Sequence, residues 1–188
     1  MRDAVAEYFA TPARRRTAWL IIPNFILFAA MLGVMLYMRG LSEGWPTPFH
    51  FPSLLMATAM SMFAVCASIT MSIGANAAKL EDKEPAVRWI AIAIVSWLLF
   101  LFLELVEWVR LVYLEQLGPD TSFGWTFIML TGSHWFAAAL CSGWFTRVAV
   151  DVRKHDGFAP ALYSFFLSFW WLVLVAALYL ANADLQGL

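Results

Sequence analysis

The sequence predicts an all-α, polytopic membrane protein, built as a bundle of five transmembrane helices. Hydrophobic residues make up 62% of the 188 positions and charged residues only 13%, a balance that a soluble domain does not need. The charged residues also fall into short blocks between long apolar runs, as a membrane topology requires. Each run exceeds the roughly 20 residues that a helix needs to cross about 30 Å of hydrocarbon. The net charge of −1 argues against nucleic acid as a partner.

The apolar runs divide the chain into a short N-terminal segment and a helical domain. Residues 1–17 form a predicted cytoplasmic segment that ends in the basic cluster Arg14–Arg16. Residues 18–188 form the transmembrane domain. Its five predicted helices span about 18–39, 52–78, 87–116, 123–149 and 160–182.

The basic residues predict the orientation of the chain. They are concentrated in the N-terminal segment and in the second and fourth loops, as Arg14–Arg16, Lys79, Lys83, Arg88, Arg147, Arg153 and Lys154. The first loop offers Arg39, and the third loop contains no Lys or Arg. Because cytoplasmic loops are enriched in Lys and Arg, the N-terminus is predicted to be cytoplasmic and the C-terminus periplasmic.

Small residues recur along the predicted second helix at intervals of three and four positions: Ala57, Ser61, Ala64, Ser68 and Ser72. Such a stripe lets two helix backbones approach closely, so it predicts a packing seam. A polar pathway lined by the hydroxyl groups is the alternative interpretation.

The predicted third helix carries three ionisable residues within an apolar run. Glu104, Glu107 and Arg110 follow one another at three-residue steps, which places them on one helical face. A carboxylate at membrane depth costs several kcal/mol unless it is protonated, paired or kept away from lipid. This face is therefore predicted to look into the protein, where a partner should exist.

The turn after this helix suggests that partner. Residues 118–122, Gly-Pro-Asp-Thr-Ser, form the strong break before the fourth helix. An antiparallel hairpin about this turn places Glu107 level with His134, each roughly 20 Å from the turn at 1.5 Å per residue. The two side chains are predicted to share a proton or a hydrogen bond. The alternative is that each finds a separate backbone or water partner.

The histidines and cysteines limit the cofactors that the chain can hold. His134 is at membrane depth, whereas His50 and His155 fall in predicted loops. One deep histidine cannot supply the two axial ligands of a bis-histidine haem, still less a haem–copper centre. Cys66 and Cys141 lack metal-ligand spacing and are interpreted as small buried residues. The chain is therefore expected to bind no haem, copper or other metal itself.

Two motifs around the third turn are similar to a known family. Glu107-Trp108, followed after a short turn by Thr-Gly-Ser-His at residues 131–134, resembles cytochrome c oxidase subunit III. That family has a Gln-x-x-Glu-aromatic stretch and then a Thr-Gly-Phe-His-Gly-Leu-His motif. The segment Trp19 to Arg39 resembles the first helix of its shorter, five-helix bacterial form. The stretch that begins Pro52-Ser-Leu-Leu is also similar, and the resemblance covers nearly the whole chain from Trp19 onward.

Several positions depart from the family's pattern of ionisable residues. The family's first-helix Glu, associated with its proton-uptake side, falls at Asn24, and the second His of its motif falls at Ala137. In the last helix, Trp-His-Phe-Val-Asp reads Ser-Phe-Phe-Leu-Ser over residues 164–168, and the family's Gln falls at Glu104. These departures indicate a divergent subunit. Because Asn does not titrate, Asn24 is expected to be structural.

The resemblance implies a non-catalytic, cofactor-free subunit of a haem–copper-type respiratory oxidoreductase in a bacterial inner membrane. Such a subunit packs beside an integral membrane redox subunit similar to subunit I, which is expected to hold the haem and copper. It stabilises that subunit and holds phospholipids in its grooves. The buried polar residues are then expected to be structural, namely Glu104, Glu107, Arg110, His134 and Asn24.

Two alternatives remain open from the sequence. The chain could be an accessory subunit of a nitric oxide reductase or of another membrane oxidoreductase. From a different class, it could be an independent small proton or solute transporter, with Glu104, Glu107 and His134 as its relay. Transporters often show broken helices or inverted repeats, and the sequence shows neither.

Overall fold

All regular secondary structure in the described part of the chain is helical, which confirms the predicted all-α fold. A computed structural model describes residues 12–41, 53–152 and 157–180. Its long helices are α1 (Pro12–Leu41), α2 (Leu54–Lys79), α3 (Lys83–Val109), α4 (Ser122–Val150) and α5 (Phe158–Val175). A π-helical turn continues α3 over Arg110–Leu114, and another continues α5 over Ala176–Leu180.

Each predicted helix overlaps one of these five. Residues 12–17, which the sequence assigns to the N-terminal segment, are the first turns of α1. Residues 1–11 and the end of the predicted last helix, residues 181–182, lie outside the described ranges. His50 and His155 lie outside them as well.

Within the described ranges, four segments are long and apolar enough to cross a membrane: Thr17–Leu41, Leu54–Lys79, Lys83–Leu114 and Phe158–Tyr179. α4 is not among them, because His134 and several Gly, Ser, Thr and Trp residues interrupt its apolar run. Its 29 residues still exceed the length that a membrane requires. The fifth span and the orientation of the termini stay predictions.

The helix boundaries follow local signals in the sequence. Thr121 precedes α4, and its hydroxyl accepts a hydrogen bond from the Gly124 N–H at 3.0 Å, as an N-cap does. The Ser53 hydroxyl accepts from the Met56 N–H in the same way before α2. Three residues join α2 to α3, and Glu81 among them has a positive φ of 63°, which reverses the chain within that short turn.

Helices α2 to α5 form a closed ring. Each packs against the next, α5 returns to α2, and α1 lies outside the ring against α4 and α5. The apolar part of α1 is accordingly 11% buried, whereas that of α5 is 56% buried. Large aromatic side chains that are almost fully buried contribute to the core: Phe28, Trp97, Phe100, Phe123, Phe127, Phe145 and Trp171.

The small residues of α2 face its neighbours, which confirms the predicted packing seam. Ala57, Ala64 and Ser68 have no exposed surface. Gly74 lies so close to α3 that an added Cβ would be 2.8 Å from Cγ1 of Ile90. Small side chains therefore allow α2 to contact α3 and α5 at short range.

A similar close approach at the start of α4 gives a first prediction. A Cβ at Gly124 would meet the carbonyl oxygens of Leu117 and Gly118, whereas a Cβ at Gly143 on the same helix has open space around it. Gly124→Ala is expected to lower the free energy of unfolding by about 1–3 kcal/mol, the range for overpacking. Thermal unfolding of the purified chain in mild detergent measures the change. Gly143→Ala is the control, and equal melting temperatures for the two variants would contradict the prediction.

Candidate functional site

Glu107 lies near the end of α3, where its carboxylate is enclosed and bonded on both oxygens. Its exposed fraction is 0%. The Arg110 guanidinium donates from Nε to Oε2 and from Nη2 to Oε1, each at 3.0 Å, the bidentate arrangement that suits Arg and a carboxylate. The backbone N–H of Ser53 donates to Oε1 at 2.7 Å. Because Ser53 caps α2, Glu107 ties the start of α2 to the end of α3 and lies at the positive end of the α2 dipole.

Arg110 also binds a second carboxylate. Its Nη1 donates to Oε1 of Glu115 at 2.8 Å, and the side chains of Arg110 and Glu115 are 24% and 25% exposed. Glu107, Arg110 and Glu115, here called the Arg110 cluster, therefore run from the interior to the protein surface. Arg110 begins the π-helical turn after α3. Turns of this type are uncommon in proteins as a whole, and those that occur are frequently found at functional sites.

His134 lies in the middle of the bundle and does not contact Glu107. Its Nε2 donates to the carbonyl oxygen of Leu167 in α5 at 3.0 Å, and because a carbonyl can only accept, Nε2 carries a proton. Aromatic rings surround the imidazole at centroid distances between 5.4 and 6.3 Å: Phe28, Trp97, Phe100 and Trp171. The predicted pairing of Glu107 with His134 is wrong, and each has a separate partner.

The register of the α3–α4 hairpin explains this correction. The Trp108 indole donates to the Thr131 hydroxyl at 2.9 Å, and the Trp135 indole donates to the Leu101 carbonyl at 3.1 Å. These bonds place His134 level with the α3 turn around Leu101. Glu107 lies farther along α3, nearer the connecting turn, so the two side chains are at different depths.

Glu104 is buried on the same face of α3, one turn before Glu107. Its exposed fraction is 1%, and neither carboxylate oxygen has a hydrogen-bond partner in the described parts of the chain. Tyr179, in the π-helical turn after α5, is also buried, and its hydroxyl is likewise unpartnered there. The prediction that this face looks into the protein is confirmed.

Asn24 lies in α1, one residue after Pro23. Its side-chain amide donates to the carbonyl oxygen of Leu20 at 2.8 Å. Asn24 also lines a groove of about 370 Å³ between α1, α4 and α5, together with Ser133 and Tyr163. The amide therefore bonds backbone in the turn that the proline interrupts, and a structural role for Asn24 stays a prediction.

A chain of hydrogen bonds through serine hydroxyl groups and the Trp97 indole connects α2, α3 and α5. The sequence pattern alone did not predict this chain of bonds. Ser68 Oγ lies 2.7 Å from Ser164 Oγ and 2.8 Å from Ser168 Oγ, and Ser168 donates to the Ala64 carbonyl at 2.7 Å. The Trp97 indole donates to Ser164 at 3.0 Å. Each hydroxyl has one proton, so a single direction of donation from Trp97 to Ala64 satisfies every member. These hydroxyl groups hold the helices together. The feature of the sequence that could have indicated the bonds is the alignment of small polar residues on α2 and α5.

The part of the chain that the structure describes contains no group of three or more His, Cys, Asp and Glu side chains that could hold a metal ion. Cys66 and Cys141 are free thiols. The Ser96 hydroxyl contacts the Cys66 sulfur at 3.6 Å. Cys141 is buried, as the sequence predicted, whereas Cys66 is only partly buried.

The chain is similar to proteins named as oxidase subunits. It is 27% identical over 164 residues to cytochrome c oxidase subunit 3 of Alkalihalophilus pseudofirmus, covering 82% of this chain and 80% of that protein. It is 26% identical over 170 residues to cytochrome c oxidase subunit 3 of Thermostichus vulcanus, covering 85% and 83%. It is 21% identical over 173 residues to quinol oxidase subunit 3 of Bacillus subtilis, covering 86% and 84%.

No protein-family model matches the chain. The similarities nevertheless extend over most of each relative and over most of this chain. They confirm the resemblance to a divergent subunit III that the sequence motifs predicted.

Proposed function

We propose that this chain is a non-catalytic subunit of a haem–copper-type respiratory oxidoreductase complex in a bacterial inner membrane. The observation that carries the proposal is the similarity to subunit 3 of two cytochrome c oxidases and one quinol oxidase, which spans at least four fifths of each protein. In this role the chain packs beside a redox subunit similar to subunit I and stabilises it. The haem and copper belong to that partner.

The interior of the bundle supports a packing role. The space between the helices is filled by aromatic side chains such as Trp97 and Trp171 and by the hydroxyl chain through Ser68. His134, the side chain best suited to ligate a metal at this depth, is enclosed by rings and bonded to backbone. Such a core holds helices together and offers little room for a cofactor.

The outer surface supports lipid binding. A groove of about 240 Å³ between α1 and α4 is almost wholly apolar, with Met31, Val34, Trp125 and Met129 among its lining residues. Hydrocarbon chains suit a surface of this kind. We propose that phospholipid acyl chains occupy it in the membrane.

Asn24 belongs to the structural part of the proposal. Where the resemblance places a proton-handling Glu, this chain has an amide that bonds the Leu20 carbonyl. We propose that the partner subunit has its own proton path. In the assembled complex, Asn24→Ala should therefore leave the pH profile of turnover in place, and a shift of about one pH unit, equivalent to 1.4 kcal/mol, would contradict this role.

Gentle purification through an affinity tag on the chain tests the function. The expected result is co-purification of haem-containing subunits in fixed proportion, with reduction of dioxygen by the complex. Reduction of nitric oxide would favour the nitric oxide reductase alternative. A chain that purifies alone from membranes that contain these complexes would overturn the proposal and favour an independent transporter. Purification through a tag on an unrelated polytopic protein is the control for non-specific haem.

A further inference from the structure

Two adjoining grooves form one long depression along the contact between α1 and α4. The first, of about 240 Å³, is the apolar section described above, and the second, of about 370 Å³, is the section that also touches α5. Leu27 lines both sections. On α4 their lining residues extend from Trp125 to Trp144, roughly 28 Å at 1.5 Å per residue. The depression is therefore long enough for one extended lipid tail together with a polar head group.

The second section, here called the polar section, contains one side chain that lacks a hydrogen-bond partner. Asn24 and Ser133 each bond a backbone carbonyl of their own helix. Tyr163 lies on α5 and is 6% exposed, and its hydroxyl has no hydrogen-bond partner among the described residues. Because Tyr163 lines the groove, a bound molecule can reach this hydroxyl. A buried hydroxyl without a partner costs free energy, so the polar section favours a ligand with an acceptor oxygen.

The charge of the depression limits which ligand fits. Among the described residues that line its two sections there is no Asp, Glu, Lys, Arg or His. A charged head group would therefore lose its hydration without gaining an opposite charge. A neutral head group, with an oxygen that accepts a hydrogen bond from the Tyr163 hydroxyl, suits the polar section.

The depth of the polar section distinguishes this ligand from a phospholipid. Tyr163 and Asn24 lie five and seven residues inside the apolar segments of α5 and α1, roughly 8 to 10 Å along the helix axis. The basic residue that suits a phosphate is Arg147, which is exposed and lies three positions beyond Trp144. A phosphate at that level places acyl carbons beside the Tyr163 hydroxyl, and acyl carbons form no hydrogen bond with it.

Aromatic rings flank the polar section and favour a flat head group. Phe136 and Trp144 line it together with Tyr163. The ring centroids of Trp144 and Tyr163 are 6.4 Å apart, and the ring planes are tilted by 46°. Planar rings pack against aromatic side chains by stacking and by edge contacts. A quinone combines such a ring with acceptor oxygens, a long apolar tail and no charge.

We propose that this depression binds a prenylated quinone or quinol. The ring lies in the polar section, where the Tyr163 hydroxyl donates a hydrogen bond to a ring oxygen. The isoprenoid tail continues past Leu27 into the apolar section, where it replaces acyl chains. The inference goes beyond the proposed function, in which this surface holds phospholipid alone.

Photolabelling of the purified full-length chain in phosphatidylcholine nanodiscs tests the site. The probe is an azido-benzoquinone with a decyl tail, and mass spectrometry of the digested chain locates the label. We expect label on peptides that contain Phe136, Trp144 or Tyr163, and excess unlabelled decyl-benzoquinone should prevent it, whereas excess phosphatidylglycerol should not. Equal protection by phosphatidylglycerol would make this a phospholipid groove and would overturn the proposal. Label spread evenly over the exposed surfaces of α1 to α5 would do the same.

Two tyrosine variants test the hydrogen bond. Tyr163→Phe removes the hydroxyl but keeps the ring that contacts Trp144 and Phe166. It should raise the half-saturating probe concentration about threefold to tenfold, the factor that corresponds to one lost hydrogen bond. Tyr113→Phe, at a tyrosine that is 76% exposed and does not line the groove, is the control and should leave it unchanged. Equal half-saturation in the two variants would exclude the proposed bond to the ring oxygen.

A second pair of variants tests the position of the groove without changing Tyr163. Leu140 lines the polar section and is 60% exposed, so Leu140→Trp should fill the groove while the bundle still folds. It should abolish the protected label. Val150→Trp on the same helix, at a position that is 81% exposed and outside the groove, should retain it. Full labelling of the Leu140 variant would overturn the proposal. Since none of these measurements needs the complex, this inference and the proposed function fail separately.

Discussion

Replacing Arg110 with Ala is expected to lower the free energy of unfolding by about 3–5 kcal/mol, the range for breaking a buried ion pair by removing one partner. The reason is that Glu107, with 0% exposure, would keep a carboxylate bonded to a single backbone N–H, that of Ser53. Glu115 would lose its contact with the guanidinium as well. The link between the start of α2 and the end of α3 would be weakened.

In a Cys66→Ser background, which removes the partly exposed thiol, a thiol-reactive dye measures this effect, because Cys141 is fully buried and becomes reactive when the bundle opens. The matched control is Arg88→Ala. Arg88 pairs with Glu84 four residues away on the same helix, but those side chains are 71% and 76% exposed. Loss of an exposed pair costs about 0–1 kcal/mol. If both variants melted at the same temperature, the enclosed position of Glu107 would have no energetic consequence and the interpretation would be wrong.

Replacing Trp171 with Ala is expected to have an effect of similar size, about 3–5 kcal/mol. Trp171 is fully buried and lies at centroid distances of 4.9 Å from Phe100 and 5.4 Å from His134. Its indole N–H also donates to the Ser61 hydroxyl of α2 at 3.1 Å. The substitution would therefore leave a cavity at the point where α3, α4 and α5 meet and would remove a bond between α5 and α2.

Phe169→Ala on the same helix is the control for this prediction, since Phe169 is 59% exposed and its loss leaves no internal cavity. The dye assay on Cys141 should show a large fall in melting temperature for the Trp171 variant and a small one for the control. Comparable falls for the two would indicate that the aromatic centre around His134 does not hold the bundle together.

The all-α fold could be predicted from the sequence because its causes are local. An apolar run of sufficient length forms a helix in a membrane whatever its neighbours are, so each predicted helix overlaps an observed one. The break before α4 was also local, since Thr121 caps that helix through its own hydroxyl. The three-residue spacing of Glu104, Glu107 and Arg110 likewise predicted a shared inward face, because helical periodicity alone sets it.

The resemblance to subunit III also came from the sequence, through Glu107-Trp108 and the Thr-Gly-Ser-His stretch at residues 131–134. These short motifs lie on two consecutive helices and keep their order. The similarity to the oxidase subunits over most of the chain confirms that interpretation.

The partners of the buried polar groups were decided by the tertiary structure alone. Glu107 bonds the N–H of Ser53, 54 positions away, and His134 bonds the carbonyl of Leu167, 33 positions away. Such contacts depend on how far each helix is shifted and rotated against the next. Side-chain packing sets those shifts, as the Trp135 bond to the Leu101 carbonyl does in the α3–α4 hairpin. A displacement of one helical turn, about 5.4 Å, exchanges one polar partner for another. The spacing of residues along the sequence does not determine that displacement.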